Sequence, residues 1–168
     1  MLGTKIYKNN FNAEEYSQCA NWCNANGCMI VDQDEYYEVV EIPAPSLDEL
    51  KQAKLKEVGS LFAQKRDARR FVKLDENRYY GFDCASEDIT NFLARWTPLA
   101  MMGGGESQYK VWLNETEKDL VMLSLADYNL VYQVVSASQL EAYDWYKVVE
   151  TQINACTTQE ELEAIVFE

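Results

Sequence analysis

The chain has 168 residues, is 48% apolar and carries a formal charge of −13, enough for one ordinary domain or a domain with a small appendage. Eleven tyrosines and that apolar share can fill a core, which excludes a disordered acidic tail. The net charge argues against a surface given over to nucleic acid or anionic lipid, so nucleic acid is not the partner expected.

The acidity is unevenly spread. Residues 1–45 hold two Lys against seven Asp and Glu, residues 46–110 eleven cations against ten acids, and residues 111–168 two cations against eleven acids. Two acidic ends around a neutral middle suit solubility, or partners with basic surfaces. No run of eighteen apolar residues is present, so no membrane-spanning helix and no membrane partner is expected. The opening MLGTKIYKNNFNAEEY lacks the apolar stretch of a signal peptide. Five cysteines, an odd number without an export signal, read as reduced thiols in a cytosolic setting.

In chain order, KIY predicts a short strand, and Tyr16, Cys19, Ala20 and Cys23 fall at i, i+3, i+4 and i+7, one face of a helix. Asn26-Gly27 ends that helix. CMIV and EYYEVVEI predict a hairpin around Asp32-Gln33-Asp34. Residues 1–44 are therefore expected to form a βαββ unit, closed by the stiff linker PAPS. Ser46 and Glu49 make a capping box for a helix reaching about Arg70, with Leu47, Leu55, Val58 and Phe62 along one side. FVKL, DEN and RYYGF predict a hairpin, and Ser86 is expected to cap the helix EDITNFLARW, which Pro98 ends or kinks. Gly103, Gly104 and Gly105 precede a second hairpin, YKVWL and LVML. Ser124 opens a long helix to about Ala155, in which Tyr128, Val131, Tyr132, Val135, Tyr143 and Tyr146 predict extensive burial. Thr158 and Glu161 cap a short terminal helix. The fold class expected is α+β: the small unit, then a mainly helical domain over 45–168 with two short β-hairpins.

Three cysteines in CANWCNANGC invite a metal reading. Zinc needs four ligands, and the chain has no histidine, so the fourth would have to be Cys84 or Cys156 from a distant segment. Small thiols on the core face of a helix explain Cys19, Cys23 and Cys28 better, and no metal or cofactor is expected. Without histidine, Ser-His and Cys-His nucleophile pairs are excluded. The Asp32-to-Glu35 cluster falls in a turn, where carboxylates are solvated, and Gly103–Gly105 lacks the Lys-Ser/Thr of a phosphate loop. No enzyme is expected. The basic run KRDARRFVK puts Lys65, Arg66, Arg69 and Arg70 in the last turns of the first long helix, where cations complement its dipole.

From Leu47 onward, the segments LKQAKLKEVGSLFAQKRDA, FVKLDENRYYGFD, SEDITNFLA, YKVWLNETEKDLVMLS and CTTQEELEAI together resemble an uncharacterised domain of bacteriophage and prophage tail proteins. The leading EEYSQCANWCNANGCMIVDQDEYYEVVE is similar to short opening segments of phage tail-associated proteins. The resemblance implies a virion-associated component of the tail or tail fibre, structural, adaptor or assembly in role, with other tail proteins or further copies of itself as partners. It implies a place in the virion or, during assembly, in the host cytoplasm. Aromatics are favoured contact anchors, which singles out Tyr36, Tyr37, Tyr79, Tyr80, Trp112 and Trp145. The alternative is a phage-encoded acidic inhibitor that imitates DNA phosphates on a host protein.

Overall fold

The computed structural model describes residues 1–167, and the chain is α+β. It divides into two compact units, one of Met1–Ser46 and one from Leu47 onward.

In the first unit, strands β1 (Lys5–Tyr7), β2 (Cys28–Asp32) and β3 (Tyr36–Glu41) form an antiparallel sheet in the order β1-β3-β2. One helix, α1 (Ala13–Asn26), crosses it. Asn12 caps α1 by accepting from the amides of Glu14 and Glu15, and Gly27 ends it in the left-handed region. Cys19 and Cys23 are buried against Ile6 and Val39, with Tyr16, Trp22 and Tyr37 around them. Cys28, at the start of β2 past the turn that ends the helix, is only half-buried but packs against the same core. A 3₁₀ turn over Lys8–Asn10, which the sequence pattern did not suggest, links β1 to α1.

The second unit is a sheet with helices on one side. Strands β4 (Arg70–Lys73), β5 (Tyr79–Phe82), β6 (Glu106–Trp112) and β7 (Lys118–Ser124) run antiparallel in the order β4-β5-β6-β7. The two expected hairpins are thus one four-stranded sheet. They are joined through a single residue pair, Gly81 opposite Trp112. Val72, Phe82, Val111 and Leu123 point inward to a core with Phe92, Leu99, Tyr128, Val131 and Val135.

Helix α2 (Leu47–Asp67) stops three residues short of the expected end, so Arg69 and Arg70 lie outside it. The Arg70 guanidinium turns back onto the carbonyls of Lys65 (2.5 Å) and Ala68 (2.6 Å), closing the helix from the following strand. Helix α3 (Ser86–Met102) has Ala85 at its N-cap and no side-chain cap; Ser86 is already inside the helix. Pro98 does not end it, since a missing N–H costs one bond in a helix held by Phe92 and Leu99. Gly103, at φ 73°, ends it instead.

Helix α4 (Leu125–Ala155), roughly 46 Å long at 1.5 Å per residue, is the spine of the unit. Its first half packs on the sheet through Tyr128, Val131 and Val135. Its second half packs on α2 through Val149 and Ile153, against Val58. Tyr132 and Tyr143, expected inside with the rest of this helix, are 45% and 48% exposed, because they flank the buried stripe. A capping box of Ser124 and Asp127 opens α4, and one of Thr158 and Glu161 opens the short α5 (Gln159–Glu163). Lys54 of α2 donates to the carbonyls of Leu162 in α5 and Ile165 just after it, tying that end of the chain to α2.

Candidate functional site: an open sheet face and an apolar cleft

The alternation that points Val72, Phe82, Val111 and Leu123 inward points their neighbours the other way. On that outer face the register sets Lys73 beside Tyr79, and Phe71 beside Gly81, Trp112 and Lys118. Lys110 then faces Leu120, and Gln108 faces Met122. Tyr79 is 57% exposed, Leu120 56% and Met122 50%. A chain this acidic therefore concentrates Lys73, Lys110 and Lys118 on an apolar, aromatic sheet face.

Trp112 is the seam of that face. Its indole N–H donates to both oxygens of Asp83, at 2.9 and 2.8 Å. The Arg69 guanidinium lies 3.4 Å from the ring centroid and the Lys118 ammonium 4.4 Å. Both cations also bond Asp83, at 3.1 and 2.6 Å. Burial alone would raise the Asp83 pKa, but Lys118, Trp112 and Arg69 together hold it below the ordinary carboxylate value. Gly81 makes room for this arrangement, since a Cβ there would lie 2.9 Å from both Arg69 Cδ and Phe71 Cζ. The open edge of the sheet is partly closed. The amide of Leu120 is bonded to the Asp119 carboxylate and that of Ser124 to Asp127, which discourages another strand from pairing there.

A cleft of about 240 Å³ lies on the helical side, between α3 and α4. Its walls are Phe82, Ile89, Phe92, Leu93, Tyr109, Val131 and Val135, with Asp83, Ser136 and Gln139 as polar groups and Tyr132 also lining it. The Tyr109 hydroxyl donates to the Asp88 carbonyl, and burial pushes its pKa well above that of a free phenol.

The six aromatics singled out from the sequence do not share one site. Tyr79 stands exposed on the open face, stacked on Phe71 at 5.4 Å, and Trp112 forms the seam beside it. Tyr80 points inward to pack on the sheet core. Trp145 is half-buried between α2 and α4, with Lys65 4.8 Å above its ring. In the first unit Tyr37 packs edge-on against Tyr16 in the core, while Tyr36, on the other face, takes a hydrogen bond from Lys5. The arginines of the basic run are absorbed internally, Arg66 pairing with Asp67, Arg69 with Asp83 and Arg70 with the Ser138 hydroxyl of α4, while Lys73 stands exposed on the open face. Leu120 and Met122 were missed, although four apolar residues in a row in LVML, in a strand with one side open, signal an apolar outer face. The cleft left no local signal, because its walls come from four separated segments.

No family model, curated protein or solved structure matches the chain. Among the described residues no helix is long and apolar enough to cross a membrane, and no group of three or more His, Cys, Asp or Glu is placed to hold a metal ion.

Proposed function

We propose that the chain is a bacteriophage or prophage virion-associated protein that works at the tail or tail fibre, as a structural, adaptor or assembly component. It acts through contacts with other tail proteins, in the virion or in the host cytoplasm during assembly, and performs no catalysis of its own. The observation that carries this reading is the open sheet face of the second unit, where Tyr79, Leu120 and Met122 lie exposed among lysines. Leu120 and Met122 stand two apart on β7, and Tyr79 lies across the sheet on β5. Exposed apolar side chains on one face of a folded domain mark a contact site, and aromatic and Met side chains are enriched in the buried centre of such sites. The resemblance in element order and motifs supplies the setting, and the face supplies the means. A DNA mimic would instead present carboxylates in a row; here the open sheet face carries Lys73, Lys110 and Lys118 beside its exposed apolar residues.

The test is a triple variant, Tyr79→Ser, Leu120→Thr and Met122→Thr, which changes only exposed side chains and so leaves the fold intact. Added to tails assembled without this protein, the wild-type chain is expected to co-sediment with them and the variant to bind at least tenfold more weakly. Equal co-sedimentation of the two would overturn the assignment of this face, and absence of binding by the wild-type chain would overturn the tail role.

A further inference from the structure

We propose that the cleft between α3 and α4 is an anchor site for one planar aromatic side chain with a hydrogen-bonding edge, tryptophan or tyrosine, presented by a partner polypeptide. This rests on reading the chain as a protein-contact component, but concerns a different surface from the open sheet face.

Size comes first. An apolar cavity of about 150 Å³ accepts a benzene ring, whereas pockets that bury whole drug-sized ligands run from about 300 to 1,000 Å³. At about 240 Å³, this cleft suits one bicyclic or substituted ring.

Shape and chemistry agree with that size. Phe92 and Tyr109 meet edge to face at 5.7 Å, a rigid aromatic wall that favours a flat, apolar guest. Two polar groups line the cleft one helical turn apart on α4. Among the described residues, nothing on the protein pairs with the Ser136 hydroxyl. Gln139 uses one N–H in a long 3.4 Å bond to the Cys84 carbonyl, which leaves its side-chain oxygen able to accept. An indole N–H or a phenol O–H entering the cleft would therefore find an acceptor, while its ring lies in the apolar part.

The exposed ring beside the cleft is the ground for a polypeptide source. Tyr132, which lines the cleft, stacks on Trp96 at 5.1 Å with the rings only 7° from parallel. The Trp96 N–H is held by Asn129 at 2.8 Å, so the platform is fixed in place. Trp96 packs on the core and Tyr132 is 45% exposed beside the cleft mouth. A free molecule small enough for the cleft would leave Tyr132 uncovered, whereas residues flanking an inserted side chain would cover it.

The experiment titrates the full chain with indole and, separately, with the capped tripeptide acetyl-Ala-Trp-Leu-amide, following methyl NMR signals. Both probes are expected to shift Ile89, Leu93, Val131 and Val135, with the tripeptide binding at least tenfold more tightly than indole. Ser136→Phe, which places a ring in the cleft, is expected to abolish both sets of shifts while the rest of the spectrum stays native. The pair Ser136→Ala and Gln139→Leu is expected to weaken the tripeptide about three- to tenfold, the worth of one hydrogen bond. Indole binding as tightly as the tripeptide would overturn the polypeptide source in favour of a free aromatic molecule. No shifts with either probe, or shifts unchanged in Ser136→Phe, would overturn the site. Neither probe requires a tail protein, so failure here leaves the open-face reading standing, and failure of the tail-binding test leaves the cleft standing.

Discussion

Replacing Asp127 with alanine is expected to destabilise the second unit by about 2 kcal/mol, a fall of roughly 1 M in the urea midpoint. Asp127 is 7% exposed and accepts from both ends of the Arg78 guanidinium, at 2.9 and 3.0 Å. It also accepts from the Ser124 amide and hydroxyl, closing the cap of α4. One carboxylate thus joins the β4–β5 turn to the start of the spine helix. Alanine removes the cap bond and leaves Arg78 with Asp75 alone. Asp127→Asn keeps the shape and part of the cap, and about half the loss is expected. The sign of the pH dependence follows. Burial alone would raise the Asp127 pKa, but Arg78 and Ser124 outweigh it and hold the carboxyl low in the folded protein. Its stabilisation is complete above the value it has in the unfolded chain, about 4, and is lost as pH falls through the lower folded value. Urea midpoints of wild type and Asp127→Asn should therefore converge as pH drops from 6 to 3. A constant gap across that range would contradict the role given to this ion pair.

Trp112→Ala is expected to cost about 2–3 kcal/mol and to loosen the sheet locally at the β5–β6 boundary. The hairpins meet in one residue pair, so backbone bonding does little to join them. The seam depends on the indole, which spans Arg69 and Lys118 and bonds Asp83. Trp112→Phe keeps a ring for the cations and loses the N–H, and about 1 kcal/mol is expected. Hydrogen exchange of the full chain gives the local readout: in Trp112→Ala, the amides of β5 and β6 should exchange faster than those of α2. Uniform acceleration throughout the second unit would mean that Trp112 is ordinary core and the seam is no weak point.

Much of the architecture was legible because its signals are local. The Ser124 and Thr158 capping boxes, Gly27 and the turns at Asp32–Asp34 and Asp75–Asn77 rest on chemistry spanning about four residues, and each lies at an element boundary. Signals that needed a partner failed. Arg70 looked like a last-turn helix cation, yet it begins a strand and caps the helix from outside. Nothing local shows that two hairpins separated by α3 will pair through Gly81 and Trp112. The exposed aromatics were harder still. Tyr79 and Tyr80 are adjacent and chemically alike, and only strand register sends Tyr80 to the core and Tyr79 to solvent. The Asp127–Arg78 pair, buried on the Asp127 side only, spans 49 positions and was invisible for the same reason.

The measurement closest to the central claim is hydroxyl-radical footprinting of purified phage particles, read by peptide mass spectrometry beside the free chain. The chain should be present at a copy number matching a small ring or fibre relative to the major tail protein. Met122 and Tyr79, half-exposed in the free chain, should be oxidised several-fold more slowly in particles than free. Absence of the chain from the particles, or undiminished oxidation of Met122 and Tyr79 within them, would contradict a virion role played through the open sheet face.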